Sequence, residues 1–161
     1  MSKAYCIYKG KNFLMDIYNN KVELTSSKKE DLNNGFKEYV DVLGNRHSDI
    51  LVKEVSVDDL EFAYELNYKV IYKDIEFEPW CIGKHILNEE KISLFTSNSD
   101  LASLYGFNKE EQFVFKKELK LNDIEALIEI KIPILKFNQM KEERTRIEQK
   151  YIKKYLEDIL L

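Results

Sequence analysis

The stretch Lys53-Glu54-Val55-Ser56-Val57-Asp58-Asp59-Leu60-Glu61 decides the fold, because a diverged copy of it follows 64 positions later. The copy reads Lys117-Glu118-Leu119-Lys120-Leu121-Asn122-Asp123-Ile124-Glu125. Working outward, Ile7-Tyr8-Lys9 recurs as Ile71-Tyr72-Lys73 with the same offset. Two distant segments seldom share one offset by chance, so the sequence predicts an internal repeat of residues 4–66 and 68–130.

Each copy is predicted to be an α+β unit in which a β-meander is followed by a helix, a strand and a second helix. In the first copy, alternating apolar residues over 5–25 predict the meander. Ser27 and Glu30 have the spacing of a capping box for a helix over 28–43, which ends at Gly44. The rest of this copy is predicted to be a strand over 50–57 and a short helix over 58–66.

The second copy is predicted to repeat this order, with helices packed on the sheet. Its predicted strands are 68–77, 80–87, 91–96 and 112–119, and its predicted helices are 99–105 and 122–130. The segment 131–161 is predicted to hold an extended run with Pro133 and then an amphipathic helix over 139–161. We therefore expect one compact α+β domain over 1–161.

Charge and hydropathy exclude two classes of partner. The net charge of −4 argues against a nucleic-acid binder, which needs a basic surface to displace counterions from phosphates. We find neither a secretion signal nor an apolar run of membrane-spanning length, so we expect a cytoplasmic protein that binds no membrane. Cys6 and Cys81 lack CxxC spacing and lie among apolar neighbours, which predicts reduced core thiols.

The sequence contains no recognisable catalytic constellation. His47 and His85 have no ligand at metal-site spacing, and Gly-rich phosphate loops and nucleophile motifs are missing. A nucleophilic Cys6 or Cys81 paired with one of the histidines stays open, although the apolar surroundings of both cysteines do not favour it. We therefore predict no enzymatic activity, no cofactor and no metal.

Binding is the better-supported prediction, and it rests on a segment where the copies differ. Asp74, Glu76 and Glu78 alternate with apolar residues and precede Trp80, the only tryptophan. Acidic and aromatic side chains together suit a protein partner with a basic patch. The alternative is that Trp80 and Phe77 are core residues. The loop that carries Arg46 and His47 is a second candidate contact with a partner. The predicted binding residues are therefore Asp74, Glu76, Glu78, Trp80, Arg46 and His47.

Taken together, these features resemble small immunity proteins encoded beside polymorphic toxins of the LXG type and related toxins in Firmicutes. The similarity spans residues 4 to 130. It is carried by Ala4-Tyr5-Cys6-Ile7-Tyr8-Lys9-Gly10-Lys11, Leu94-Phe95-Thr96-Ser97, Leu104-Tyr105-Gly106-Phe107, and Lys117-Glu118-Leu119 with Asp123.

The resemblance implies a cytoplasmic protein that binds a cognate toxin domain, such as a basic nuclease-like domain, and occludes its active site without turnover. An alternative from another class is a small-molecule-binding or regulatory module. The sequence leaves the toxin's activity and the oligomeric state open.

Overall fold

The computed structural model describes residues 3–160, which divide into two compact units. The N-terminal unit comprises residues 3–66 and 131–142, and the C-terminal unit comprises residues 67–130 and 143–160. Most of the described chain is β-strand. The strands are β1 Lys3–Tyr8, β2 Lys11–Tyr18, β3 Lys21–Ser26, β4 Lys37–Val40, β5 Arg46–Val55, β6 Phe62–Tyr72, β7 Ile75–Pro79, β8 Lys91–Thr96, β9 Asn108–Glu111, β10 Val114–Lys120, β11 Ala126–Pro133 and β12 Glu143–Glu148.

Helices are few and short in the described residues. The α-helices are α1 Lys84–Glu89, α2 Ser99–Tyr105 and α3 Gln149–Leu160, and the 3-10 turns are Lys29–Asn34, Val57–Asp59, Leu121–Asp123 and Leu135–Phe137. None of these helices combines the length and the apolar character that crossing a bilayer requires.

The strands pair in an antiparallel, twelve-stranded arrangement. In the N-terminal unit the order is β4-β5-β3-β2-β1-β6, and in the C-terminal unit it is β6-β7-β8-β10-β9. Strand β6 contributes to both units, because Phe62–Leu66 pair with β1 whereas Val70–Tyr72 pair with β7. Strand β11 pairs with β6 and with β12.

The predicted α+β class, with helices packed on a sheet, is therefore wrong. Residues 28–43 form a short 3-10 turn and then β4, because Gly35 adopts a left-handed conformation with φ +86° and ends the turn. The helix would have buried Leu32, Val40 and Leu43, whose side chains are instead exposed in the structure. A 3.6-residue apolar pattern in this segment was thus coincidental.

Three other predicted helices are also replaced, wholly or partly, by strands. The segments 58–66 and 122–130 begin with single 3-10 turns and continue as β6 and β11. Their hydrogen bonds to neighbouring strands outweigh a weak local helix preference. In the C-terminal segment, β12 replaces the first part of the predicted helix, which is shortened to α3. The predicted strand over 80–87 is also wrong, because this segment is a loop that leads into α1.

Two glutamates hold equivalent hairpin turns in the two copies. Glu61 accepts a hydrogen bond through Oε1 from the backbone N–H of Gly10 at 2.9 Å. Glu125, 64 positions later, accepts one from the backbone N–H of Asp74 at 3.1 Å. Both turns have left-handed residues, at Lys9-Gly10 and Lys73-Asp74, as two-residue β-hairpins favour.

A lysine side chain caps the end of the 3-10 turn in the first copy. Lys53 donates from Nζ to the carbonyl oxygen of Asn34 at 2.9 Å and lies 5.2 Å from the centre of the Tyr8 ring. A Cβ on Gly35 would lie 3.1 Å from this Nζ. Because Gly35 has no side chain, the ammonium group of Lys53 has room beside the Asn34 carbonyl group to which it donates.

The second copy repeats this lysine contact. Lys117 donates from Nζ to the carbonyl oxygen of Tyr105 at 2.8 Å and lies 5.7 Å from the Tyr72 ring centre. A Cβ on Gly106 would lie 3.2 Å from Nζ. Residues 3–66 and 67–130 thus share their order of strands as well as these contacts, which is what a duplicated unit would produce.

Each unit has its own apolar core. Strand alternation places one face of each sheet against the turns and helices of the same unit. The N-terminal core contains Cys6, Tyr8, Phe13, Met15, Val22, Leu24, Phe36, Leu51, Val55, Leu60 and Ala63. The C-terminal core contains Val70, Tyr72, Phe77, Ile86, Ile92, Leu94, Ala102, Phe107, Leu119, Leu121, Ile124, Leu127, Ile147, Ile152 and Leu156.

Candidate functional site

The hairpin between β4 and β5 has a tip, residues 41–45, that is ordered by one carboxylate. Oδ1 of Asp41 accepts hydrogen bonds from the backbone N–H groups of Leu43 and Asn45, both at 2.9 Å. The backbone N–H of Asp41 donates to the carbonyl oxygen of Asn45 at 2.9 Å, and Gly44 N–H donates to Asp41 O at 3.0 Å. This Asx-type turn fixes the backbone of the β4–β5 tip in one conformation.

The second oxygen of the same carboxylate bonds a predicted site residue. His47 contacts Asp41 Oδ2 through Nε2 at 3.0 Å, and its ring lies 5.6 Å from the ring of Tyr39. The hydrogen bond from His47, followed by the backbone N–H of Asn45, lowers the pKa of Asp41 to about 2. His47 is therefore part of a strand and supports the tip, whereas the sequence placed it in an open loop.

The apex of the tip is apolar and exposed. The side chain of Val42 is fully exposed, and that of Leu43 is 83% exposed. Val40 is half-exposed at the base of the tip, opposite the exposed Arg46 across the hairpin. A turn whose backbone is held by polar contacts thus displays two aliphatic side chains to solvent.

The low pKa of Asp41 leads to a prediction about pH. The folded pKa lies below the unfolded value of 3.8, so the stabilisation of the tip is complete above pH ~4 and is lost as pH falls towards ~2. We expect the carboxyl carbon of Asp41 to titrate near pH 2 in NMR spectra. In the variant His47→Gln the pKa should rise, because the largest contribution to the shift is removed. An Asp41 midpoint near 4 in the native protein would contradict this account.

The second predicted site lies on β7 and at its ends, in the C-terminal unit. Trp80 is 47% exposed, and its ring meets Phe95 edge to face with centroids 5.8 Å apart. Lys116 places Nζ 4.6 Å from the Trp80 ring centre. Phe95 stands between Glu78 and Lys116 in the strand register, so these residues share one sheet face. We refer to Glu78, Trp80, Phe95 and Lys116 as the Trp80 face.

The acidic residues predicted for this site have partners within the same unit. Glu76 forms an ion pair with Arg144 at 2.7 Å, and Glu78 forms one with Lys69. Asp74 lies in the β6–β7 turn, where its backbone N–H is held by Glu125. The Trp80 face therefore combines an exposed aromatic ring with paired charges of both signs.

The structure separates the two residues for which the sequence left a core position open. Phe77 is 3% exposed and packs with Tyr72 and Phe107, whereas Trp80 stands outside the core. Alternation along β7 places Phe77 and position 80 on opposite faces, and Trp80 follows Pro79, where the strand ends. Phe77 is a core residue, and Trp80 remains half-exposed.

Sequence reasoning missed Asp41, Val42 and Leu43, because it assigned them to a helix. The Gly44-Asn45 pair directly after them is a turn signal that would have identified the tip. The predicted residues fall in different units: Arg46 and His47 on β5 of the N-terminal unit, and Asp74, Glu76, Glu78 and Trp80 in the C-terminal unit.

The prediction that both cysteines are core thiols is wrong for one of them. Cys6 is buried, and Cys81 is exposed because the predicted strand around it is a loop. Within residues 3–160, no three His, Cys, Asp or Glu side chains group in a way that could hold a metal ion.

Comparison with known proteins identifies the family. No curated protein and no solved structure matches the chain. A family model described as "Uncharacterised conserved protein UCP033725" matches residues 1–136, which include both copies and end before β12 and α3. Because this match covers most of the 161 residues, the chain belongs to the family of uncharacterised conserved proteins UCP033725.

Proposed function

We propose that this protein is a cytoplasmic immunity protein that binds a cognate bacterial toxin domain and blocks its active site without turnover. The observation that carries the proposal is the β4–β5 tip, where Val42 and Leu43 are exposed on a backbone held by Asp41. These aliphatic side chains contribute little to folding, since they stay in water. Their burial lowers the free energy only when a partner covers them.

Preorganisation is what makes the tip suitable for an inhibitor. A flexible loop loses conformational entropy when it docks, and that loss weakens binding. The hydrogen bonds to Asp41 already order the backbone of the tip in the folded protein. Binding therefore loses little conformational entropy, and most of the free energy of the apolar contacts contributes to affinity. An apex of this kind fits a cleft, and the active site of a toxin enzyme is a cleft.

The Trp80 face offers a second contact of the kind found at tight interfaces. Tryptophan is enriched among the residues that dominate binding energy, and Trp80 is held by Phe95 and by Lys116. Its orientation is therefore set before a partner arrives. The paired charges around it, Glu78 with Lys69, suit the polar rim of an interface.

The net charge of −4 favours a basic partner such as a nuclease-like toxin domain. Attraction between opposite net charges raises the association rate, and salt screens it. We therefore expect association to slow as ionic strength rises. The same charge disfavours nucleic acid as the partner.

A small-molecule-binding or regulatory module receives less support from the cavities. One cavity of about 340 Å³ lies in the C-terminal unit and one of about 530 Å³ in the N-terminal unit. Small-molecule sites are lined mainly by apolar and aromatic side chains. In the smaller cavity the lining is mostly charged, and Glu90 and Lys153 are already paired at 2.8 Å.

Co-expression with a candidate toxin domain, taken from a gene adjacent to that of this protein, tests the function. We expect the wild-type protein to restore growth and to co-purify with the toxin in a stoichiometric complex. The double variant Val42→Ser/Leu43→Ser should weaken the Kd by about 30-fold or more, because the loss of hot-spot side chains costs about 2 kcal/mol or more. The affinity is measured by titration calorimetry with an inactive toxin variant.

A matched control is Leu104→Ser, which replaces another exposed leucine, on α2, and should leave the Kd unchanged. If the wild-type protein neither restores growth nor binds the toxin domain, the immunity function is wrong. If it does both and the double variant binds equally well, the function stands and the tip is not the contact.

A further inference from the structure

The loop before α1 brings together a thiol and an imidazole that the proposed function does not use. Sγ of Cys81 lies 3.9 Å from Nε2 of His85, and both side chains are exposed. A nucleophilic cysteine needs a neighbouring base and access to its reagent. Cys81 has both, because α1 begins at Lys84 and turns His85 back towards the thiol.

Gly83 permits this arrangement. A Cβ at Gly83 would lie 3.1 Å from Nδ1 and 3.3 Å from Cε1 of His85. Contacts this short would push the imidazole ring away by a few tenths of an ångström. A side chain at position 83 would therefore crowd the ring, which directs its other nitrogen, Nε2, to Cys81.

The other cysteine offers an internal comparison. Cys6 is fully buried in the N-terminal core, and its burial raises the pKa of the thiol to about 11. A buried thiol that resists ionisation is a poor nucleophile. Both thiols are free, so any difference in their reactivity reflects their surroundings.

We propose that Cys81 and His85 form a nucleophile–base pair that makes Cys81 a modification site for small disulfides. His85 Nε2 accepts the Sγ proton, and the thiolate attacks one sulfur of the disulfide. The S–S bond of the reagent breaks as the new S–S bond to Cys81 forms. The departing thiolate takes up the proton from the imidazolium, so the products are a mixed disulfide and one small thiol.

The size of the effect follows from proton transfer to the imidazole. A positioned general base contributes about 10²–10⁴-fold in enzymes, and we expect less from an exposed pair whose atoms lie 3.9 Å apart. We expect His85→Gln to slow modification by oxidised glutathione about tenfold at pH ~7.

The experiment follows glutathione addition to the folded full-length chain by intact-mass and peptide mass spectrometry. We expect one addition, at Cys81, while Cys6 reacts only after denaturation. Gly83→Ala is a second variant, which should also slow the reaction by displacing the ring. Glu89→Gln, at an exposed position of the same helix, is the matched control and should react like wild type. If His85→Gln and Gly83→Ala both react at the wild-type rate, or if Cys6 reacts as fast as Cys81, the inference is overturned.

Discussion

Replacing Leu156 with alanine is expected to lower the free energy of unfolding by about 2–5 kcal/mol, the range for truncating a buried leucine. The side chain of Leu156 is fully buried in the C-terminal core, although α3 lies near the end of the chain. The truncation removes apolar contacts and leaves a cavity that the neighbouring side chains fill only in part. Urea unfolding followed by circular dichroism measures the change.

The control for this prediction is Ile159→Ala in the same helix. Ile159 is 43% exposed, so its truncation should have a much smaller effect, and alanine favours the helix at both positions. An equal loss of stability in the two variants would contradict the role assigned to the burial of Leu156.

Placing an aspartate at position 102 is expected to destabilise the protein by about 3–5 kcal/mol, the range for an uncompensated buried charge. Ala102 is buried, and its carbonyl oxygen accepts a hydrogen bond from Phe107 N–H at 2.9 Å. In the first copy, Asp31 has the equivalent place, because its carbonyl oxygen accepts one from Phe36 N–H at 3.2 Å. The two copies therefore differ at one buried position, with an acid in one and a methyl group in the other.

The acid is tolerated in the first copy because it has partners. The carboxylate of Asp31 accepts hydrogen bonds from Ser26 Oγ at 2.5 Å and from Asn34 Nδ2 at 3.1 Å, and Lys11 lies 3.8 Å away. These contacts, led by the bond from Ser26, lower the pKa of Asp31. Its stabilisation is thus complete above the unfolded pKa and is lost as pH falls through the folded pKa.

The reciprocal variants test this explanation. Asp31→Ala should cost about 1–3 kcal/mol, because it leaves the Ser26 hydroxyl without its acceptor. Ala102→Asp should cost more, and its excess cost should shrink at low pH, where the new carboxyl is neutral. Thermal unfolding measured at neutral and acidic pH gives both values. A larger loss for Asp31→Ala than for Ala102→Asp at neutral pH would contradict the role assigned to the partners.

Part of the fold could be predicted from local pattern alone. The strand over 91–96 coincides with β8, and the helix over 99–105 ended by Gly106 coincides with α2. In both elements the local signals agree with the packing. In 58–66, Leu60, Ala63 and Leu66 have helical spacing, yet pairing with β1 makes the segment a strand. That pairing links residues far apart in sequence, and no local pattern encodes it.

The surroundings of the candidate site residues were likewise not predictable from local sequence patterns. The sequence singled out Trp80 and His47, but their surroundings depend on partners that only the fold supplies. Lys116 reaches Trp80 from another strand, and Asp41 reaches His47 only because residues 37–55 form a hairpin. The apolar residues of the tip escaped notice because the spacing of Val40 and Leu43 imitates a helix.

The interleaved composition of the two units constrains how the chain acquires its structure on the ribosome. Each unit combines an early stretch with a late one, residues 131–142 for the first and 143–160 for the second. At a synthesis rate of about 5–20 residues per second, the early segments wait for several seconds before their last core side chains emerge. The nascent polypeptide therefore keeps apolar surface of both units uncovered until residues 131–160 have left the ribosome.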